Sequence, residues 1–358
     1  MISKAFQGGK IMDRVIQEAL EHYNIKNPEP SFIRHNENLT YKLTDGADAY
    51  LLRIHKPVKG FSLGIYQRNS DPVKSLQSEM LLIDYARNHM KKAMQKPVRN
   101  RFGEFVSCLS GGTPVTLLKW IEGTTIGEID ITEEIGEAIG AMAAELHHCF
   151  HELQIDPENH SFSSRLNCEI NRYAYDQKLL DRVIEELNRG VRSGQLKEKR
   201  VNTMKEALGV IRGRMDELEK IPGMSGIVHA DLSPSNLILS DQQIVPIDFS
   251  LSGYGFYYMD LGMLLSQWKD HSIRRSIKRG YEKIIKKEVP LEYIEPFFAL
   301  GVLLFIACQR DKIYREDWFE AALERWEKGI FCPLINDDHF VFETPMERVM
   351  KDDKEVQE

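Results

Sequence analysis

The chain has 358 residues, 42% of them hydrophobic and 28% charged, with a formal net charge of −7 at pH 7. That is enough sequence for one large domain or two lobes with a sizeable core, at an ordinary soluble-globular composition. The acidic balance argues against nucleic acid as a partner, and no apolar run approaches the roughly 20 residues that cross a bilayer, so no membrane partner is expected.

The start, MISKAFQGGKIMDRV, has neither an h-region nor a cleavage site. Five cysteines (Cys108, Cys149, Cys168, Cys308 and Cys332) are scattered and odd in number, and none forms C-x-x-C. The expectation is reduced thiols in a cytoplasmic protein, not a disulfide framework or a zinc site.

In chain order, Ile11, Val15, Ile16, Ala19, Leu20 and Tyr23 share one face of a short helix. NLTYKLTDGADAYLLRIH reads as a β-hairpin turning at Asp45-Gly46. From about Val73 to His89 the spacing of Leu76, Met80 and Ile83 predicts a helix. GEFVSCLSGGTPVTLLKWI is a second hairpin around Gly111-Gly112, and EGTTIGEID after it reads as a linker between lobes.

Helices then dominate. Asp130-x-x-Glu133 resembles a capping box, followed by a buried stripe of Ile135, Ile139, Met142 and Leu146. Helical segments are predicted over roughly Glu169–Arg189, Leu196–Lys220, Leu261–Trp268, Leu291–Cys308 and Trp318–Lys328. The tail from Asn336 carries eight acidic and three basic residues and is expected to pack loosely.

One stretch interrupts the helical half. GIVHADLSPSNLILSDQQIVPIDFS holds short apolar runs that present Asp231, Asn236 and Asp248 at their ends. An isolated Asp or Asn of this kind is commonly a turn residue. The combination H-x-D-x-x-x-x-N, an apolar strand and I-D-F instead suits phosphoryl transfer. In it Asp248 and Asn236 would hold Mg²⁺, which prefers hard oxygen ligands, and Asp231 would accept or orient a substrate hydroxyl.

HADLSPSNLIL followed by PIDFSLSGYGFYYMDLGMLL resembles the aminoglycoside phosphotransferase and choline kinase superfamily, with its H-G-D-L-x-x-x-N and I-D motifs. Glu37-Asn38-Leu39-Thr40-Tyr41 and Leu52-Arg53-Ile54-His55 are similar to the homoserine-kinase-like and stress-response-kinase-like members. The resemblance implies an α+β, bilobal protein-kinase-like fold. A small antiparallel-sheet lobe with its hinge would cover residues 1–121, and a larger, mostly helical lobe 122–335, ahead of an acidic tail over 336–358.

It further implies that Arg53 takes the place of the phosphate-binding Lys and pairs with Glu79. The glycine-poor loop from Arg34 to Asn38 would face the phosphates. Main-chain groups of Leu118, Lys119 and Trp120 would read the adenine edge. Ala230 stands where the family has Gly, a mild departure. His147, His148 and His229 are read as architectural, and Asp260 as a brace for the catalytic loop. The implied cofactors are ATP, with GTP as the other nucleotide, and Mg²⁺. The acceptor is a small-molecule hydroxyl, on an amino alcohol, an aminoglycoside-like cation or a sugar. A Ser/Thr protein kinase, or a kinase-fold binding protein without catalysis, are the alternative readings.

Overall fold

A computed structural model of the chain describes residues 14–35, 37–57, 64–66, 71–153 and 170–342. The described residues among 1–62, 69–123 and 169–171 form one compact unit, and those among 63–68, 124–168 and 172–358 form a second.

The first unit is built on a five-stranded antiparallel sheet of order β1-β2-β3-β5-β4. Its strands are β1 (Glu29–His35), β2 (Leu39–Asp45), β3 (Asp48–Ile54), β4 (Val106–Cys108) and β5 (Pro114–Lys119). The β2–β3 hairpin turns at Asp45-Gly46 as expected, and Gly46 supplies the left-handed φ of +61° that such a turn needs.

Strand β1 is an addition to the sequence reading. It lies at the sheet edge and is exposed almost throughout, so it lacks the in–out alternation that marks a half-buried strand. Arg34 and His35, expected in the phosphate loop, are its last two residues. The core combines Leu39, Tyr41 and Leu43 with Leu52, Ile54, Val115 and Leu117 of the sheet, closed by Ile16, Ala19 and Tyr23. Ile11, expected on the same helical face, lies outside the described residues. The helix Pro72–His89 starts where Asp71 accepts from the N–H of Val73 at 2.9 Å, with Pro72 opening the first turn.

The second unit is mostly helical. Its longer helices are Glu133–His151, Gln177–Arg192, Glu198–Glu219, Tyr257–Ser266, His271–Ile285, Leu291–Ile313 and Asp317–Trp326. Two small sheets accompany them. One has the order β10-β9-β6, from β6 (Thr124–Thr125), β9 (Leu237–Ser240) and β10 (Gln243–Pro246). The other has the order β7-β11-β8, from β7 (Tyr173–Ala174), β8 (Ser225–Val228) and β11 (Gly253–Phe256).

Several expectations need correction here. The first long helix is capped by Thr132, whose hydroxyl accepts from Ile135 N–H, and not by a box starting at Asp130. The supposed linker contains β6, which pairs with β9 of the β9–β10 hairpin through Thr124–Leu239 and Thr125–Ile238. Helix is absent over residues 170–176, where β7 runs instead.

Helix His271–Ile285 was not expected, because its charged outer face hides a thin apolar stripe of Ile273, Ile277 and Tyr281. It packs closely on Glu133–His151: a Cβ on Gly140 would come within 1.8 Å of the Ile277 carbonyl oxygen, so only glycine fits. Helix Leu291–Ile313, with a mean hydropathy of 1.8 over its most apolar window, is long and apolar enough to cross a membrane, against the sequence expectation. Within the unit, 61% of that window is buried, and the buried Glu295 and Arg310 on it both have partners. The tail expected to be loose from Asn336 first packs: Phe340 and Val341 are buried, their N–H groups held by Glu295.

Candidate active site

Strand β8 delivers the loop His229–Asn236, which ends in a single 3₁₀ turn, Pro234–Asn236. The loop is tied down from beneath by Asp260, in the first turn of helix Tyr257–Ser266. Its carboxylate accepts the N–H groups of His229 and Ala230, both at 2.6 Å. A third donor is His147 Nε2 at 3.0 Å, while His147 Nδ1 and the Tyr281 hydroxyl share a hydrogen bond at 2.8 Å. Burial pushes the Asp260 carboxyl up, but the His147 hydrogen bond and charge and the His229 N–H outweigh it and hold the group below its ordinary range. His147 and Asp260 are thus architectural, as read.

Ala230 adopts φ +62°, a left-handed conformation that costs an L-residue roughly 1–2 kcal/mol. The change from Gly is therefore less mild than expected. His229 is fully buried; its Nε2 donates to Ile247 O at 3.1 Å and its Nδ1 accepts from Asp231 N–H at 3.3 Å. Both ring nitrogens hold loops together.

The chain brings Asp231, Asn236 and Asp248 into one cluster. Asn236 donates its amide to the Asp231 carboxylate at 2.7 Å and to the Asp231 main-chain oxygen at 3.1 Å. Ile247 N–H donates to Asn236 O at 2.9 Å, which sets Asp248 beside this loop. Asp248 itself sits in the left-handed region at φ 62°, ψ 68°, which Asp tolerates better than most residues. Burial pushes the Asp231 carboxyl up to about 7, and the charge of Asp248 adds to the shift; hydrogen bonds from Asn236 and Ser233 oppose it.

This donor set fits a hard cation. The Asn236 amide nitrogen faces Asp231, so its Oδ1 is turned away as a metal-facing oxygen, and the crowded Asp231 and Asp248 carboxylates call for positive charge. No cluster of three His, Cys, Asp or Glu side chains capable of holding a metal exists among the described residues. One carboxylate and one amide are what Mg²⁺ commonly takes from a protein when phosphate and water complete its shell.

Two residues that sequence reasoning did not single out complete the surroundings of Asp248. Arg172 donates to the carbonyls of Phe249, Ser250 and Ser252, and Tyr175 to that of Leu251. Both fall in a segment read as helix, so no local signal marked them. Tyr66 packs on Tyr173 and Tyr175, and burial above all raises its hydroxyl, with the Asp231 charge a lesser contributor.

In the first unit, Arg53 of β3 and Glu79 of helix Pro72–His89 form an ion pair at 2.5 Å, with side chains only 6% and 1% exposed. Arg53 Nε also donates to Thr116 across the β3–β5 ladder at 3.4 Å. Asn38 is buried at the start of β2, and its carbonyl accepts from Thr40 Oγ1.

The hinge segment is less available than expected. Leu118 is a buried residue of β5, paired with Leu51 and bridged to Pro97. Lys119 N–H is engaged by Lys96 O at 2.8 Å and Trp120 N–H by Ala49 O at 3.0 Å. These two N–H donors are therefore engaged within the first unit.

The family model described as the phosphotransferase enzyme family, APH, matches residues 31–292. No curated protein matches the chain. Among solved structures, a microcompartment-associated aminopropanol kinase is similar at TM-score 0.69 and 19% identity, covering 91% of this chain and 98% of that one. An amicoumacin kinase, solved with AMP-PNP, Ca²⁺ and its antibiotic, is similar at TM-score 0.66 and 19% identity, covering 93% and 95%. A spectinomycin phosphotransferase with ADP and spectinomycin follows at TM-score 0.57 and 10% identity, covering 90% and 97%. At these identities the structural likenesses establish the fold, a kinase-like one. The family match spans most of the chain and includes the whole Asp231–Asn236–Asp248 cluster, and the chain belongs to the APH phosphotransferase enzyme family.

Proposed function

We propose that the protein is an ATP- and Mg²⁺-dependent kinase that phosphorylates a hydroxyl group of a small, amine-bearing molecule. The observation that carries the reading is Asp231: a carboxyl pushed up to about 7, fixed by the Asn236 amide and set beside Asp248. A carboxylate fixed in this way suits the orientation of an attacking hydroxyl and acceptance of its proton. Asn236 Oδ1 and Asp248 would hold Mg²⁺, which would supply the positive charge that offsets that of the phosphates. Arg53, kept in place by Glu79, would orient the nucleotide phosphates. His229 and Asp260 hold the backbone that presents Asp231, so the chemistry rests on preorganisation and not on a covalent intermediate.

The choice of acceptor follows the compounds named for the similar structures, aminopropanol, amicoumacin and spectinomycin, and a cationic acceptor agrees with a net charge of −7. ATP is favoured because adenine nucleotides or an analogue accompany two of those structures. The test is ATP consumption with Mg²⁺ against a panel of amino alcohols, aminoglycosides, sugars and a generic Ser/Thr protein acceptor. Acceptor-dependent turnover on an amino alcohol or antibiotic, lost in Asp248→Ala, is the expected result. Absence of nucleotide binding in the wild type, or turnover confined to the protein acceptor, would overturn the reading.

A further inference from the structure

We infer that Arg172 is a positioning residue for the turn that carries Asp248, fixing the metal-facing carboxylate by holding the carbonyls that follow it. The inference rests on the kinase reading above and deepens it.

Asp248 adopts a left-handed conformation at the head of a single 3₁₀ turn, Phe249–Leu251. Such a short turn satisfies few of its own carbonyls, and a non-glycine left-handed residue persists only where its surroundings hold it. Here the four consecutive carbonyls from 249 to 252 all have donors from the segment 172–175. Arg172 Nη2 donates to Phe249 O at 2.8 Å and to Ser250 O at 2.5 Å, and Arg172 Nε donates to Ser252 O at 2.9 Å. Tyr175 O–H donates to Leu251 O at 2.5 Å.

The same segment then runs on as β7, parallel to β11, pairing Tyr173 with Gly253 and Ala174 with Tyr254. A Cβ on Gly253 would lie 2.4 Å from the Tyr173 carbonyl oxygen, so glycine is what lets the two backbones close. The turn is thus clamped on its carbonyl side and stitched at its exit.

A guanidinium is suited to this task. Its planar fork presents N–H groups in several fixed directions, whereas a lysine ammonium, though equally charged, cannot span three carbonyls. Arg172 holds the backbone that follows Asp248, so its effect should fall on metal affinity and not on the nucleotide alone. Outer-shell partners of metal ligands typically contribute about 10–100-fold in affinity.

The experiment compares wild type, Arg172→Ala and Arg172→Lys. Mn²⁺ affinity is read by electron paramagnetic resonance in the presence of AMP-PNP, and AMP-PNP affinity is read separately in EDTA. Both variants should lose about 10–100-fold in Mn²⁺ affinity while metal-free nucleotide affinity stays within about twofold. Guanidinium chloride at low, non-denaturing concentration should restore Mn²⁺ binding in part to Arg172→Ala and not to Arg172→Lys. If Arg172→Ala does not fold, Arg172→Lys decides alone. Unchanged Mn²⁺ affinity in the variants, or a parallel loss of metal-free nucleotide binding, overturns the positioning role and leaves the kinase reading intact. A wild type that binds no Mn²⁺ with AMP-PNP overturns both.

Discussion

The carboxylate of Asp260 accepts the N–H of Ala230 at 2.6 Å, and this bond fixes an alanine in a conformation that alanine avoids. Asp260 is 1% exposed and takes three N–H donors in all, from His229, Ala230 and His147. Asp260→Asn would turn an amide N–H₂ toward at least one of those donors in a buried site. The expected loss is about 3–5 kcal/mol of stability, as for a broken buried charge network. The Asp260 carboxyl lies below its ordinary value, so its stabilisation is present above about pH 4 and lost as pH falls through the lowered value. Urea unfolding at neutral and acid pH should therefore show a gap between wild type and variant that narrows in acid. A pH-independent gap would remove the electrostatic part of the argument.

Ala230 supplies its own test. Glycine at 230 relieves roughly 1–2 kcal/mol of left-handed strain but adds about 0.4–1 kcal/mol of unfolded-state freedom. Ala230→Gly should thus be neutral to about 1.6 kcal/mol stabilising. A β-branched residue is far worse in this region, so Ala230→Val should destabilise by more than either. Equal melting temperatures for the Gly and Val variants would show that the left-handed conformation is not held in solution.

The Arg53–Glu79 pair is buried on both sides, so its two halves do not fail alike. Glu79→Gln leaves a guanidinium in a dry site with a weaker partner. Removing one member of such a pair costs about 3–5 kcal/mol, whereas an exposed pair is worth under ~1. Arg53→Lys keeps the charge but loses the fork that serves Glu79 and Thr116 together. It should retain most of the stability and lose nucleotide affinity. Calorimetric unfolding with and without nucleotide separates the two effects, and a Glu79→Gln protein as stable as wild type would contradict the burial argument.

What the sequence reveals depends on whether the signal is local. The β2–β3 hairpin is legible because Asp45-Gly46 dictates its own turn, and Asp231, Asn236 and Asp248 because their spacing between apolar runs is short and chemically specific. Arg172 is not legible: its three carbonyl partners lie some eighty residues away, and nothing beside it in the chain announces them. Strand β1 escapes because an exposed edge carries no alternation, and helix His271–Ile285 because charge dominates its composition. The engagement of the Lys119 N–H by Lys96 is not legible either, since it is a matter of strand register.

The last prediction concerns one substitution with two opposite effects. In the metal-free protein the Asp231 carboxyl is pushed from an ordinary 3.8 up to about 7 by burial and by the charge of Asp248. The folded chain therefore keeps this proton at a pH where the unfolded chain has released it. The contribution of the group to stability is full below about pH 4 and is lost as pH rises to about 7. Asp231→Asn does not titrate and can still accept the Asn236 amide. In EDTA the variant should match wild type near pH 4 and become more stable toward pH 7, by at most about 4 kcal/mol at 1.36 kcal/mol per unit. Its turnover with Mg²⁺-ATP should fall by about 10²–10⁴-fold for loss of the base, with nucleotide affinity nearly retained. Gain of stability with loss of activity is the pattern of a residue kept for chemistry at a cost to the fold. A variant that is less stable than wild type at neutral pH, or that turns over at the full rate, would take Asp231 out of that role.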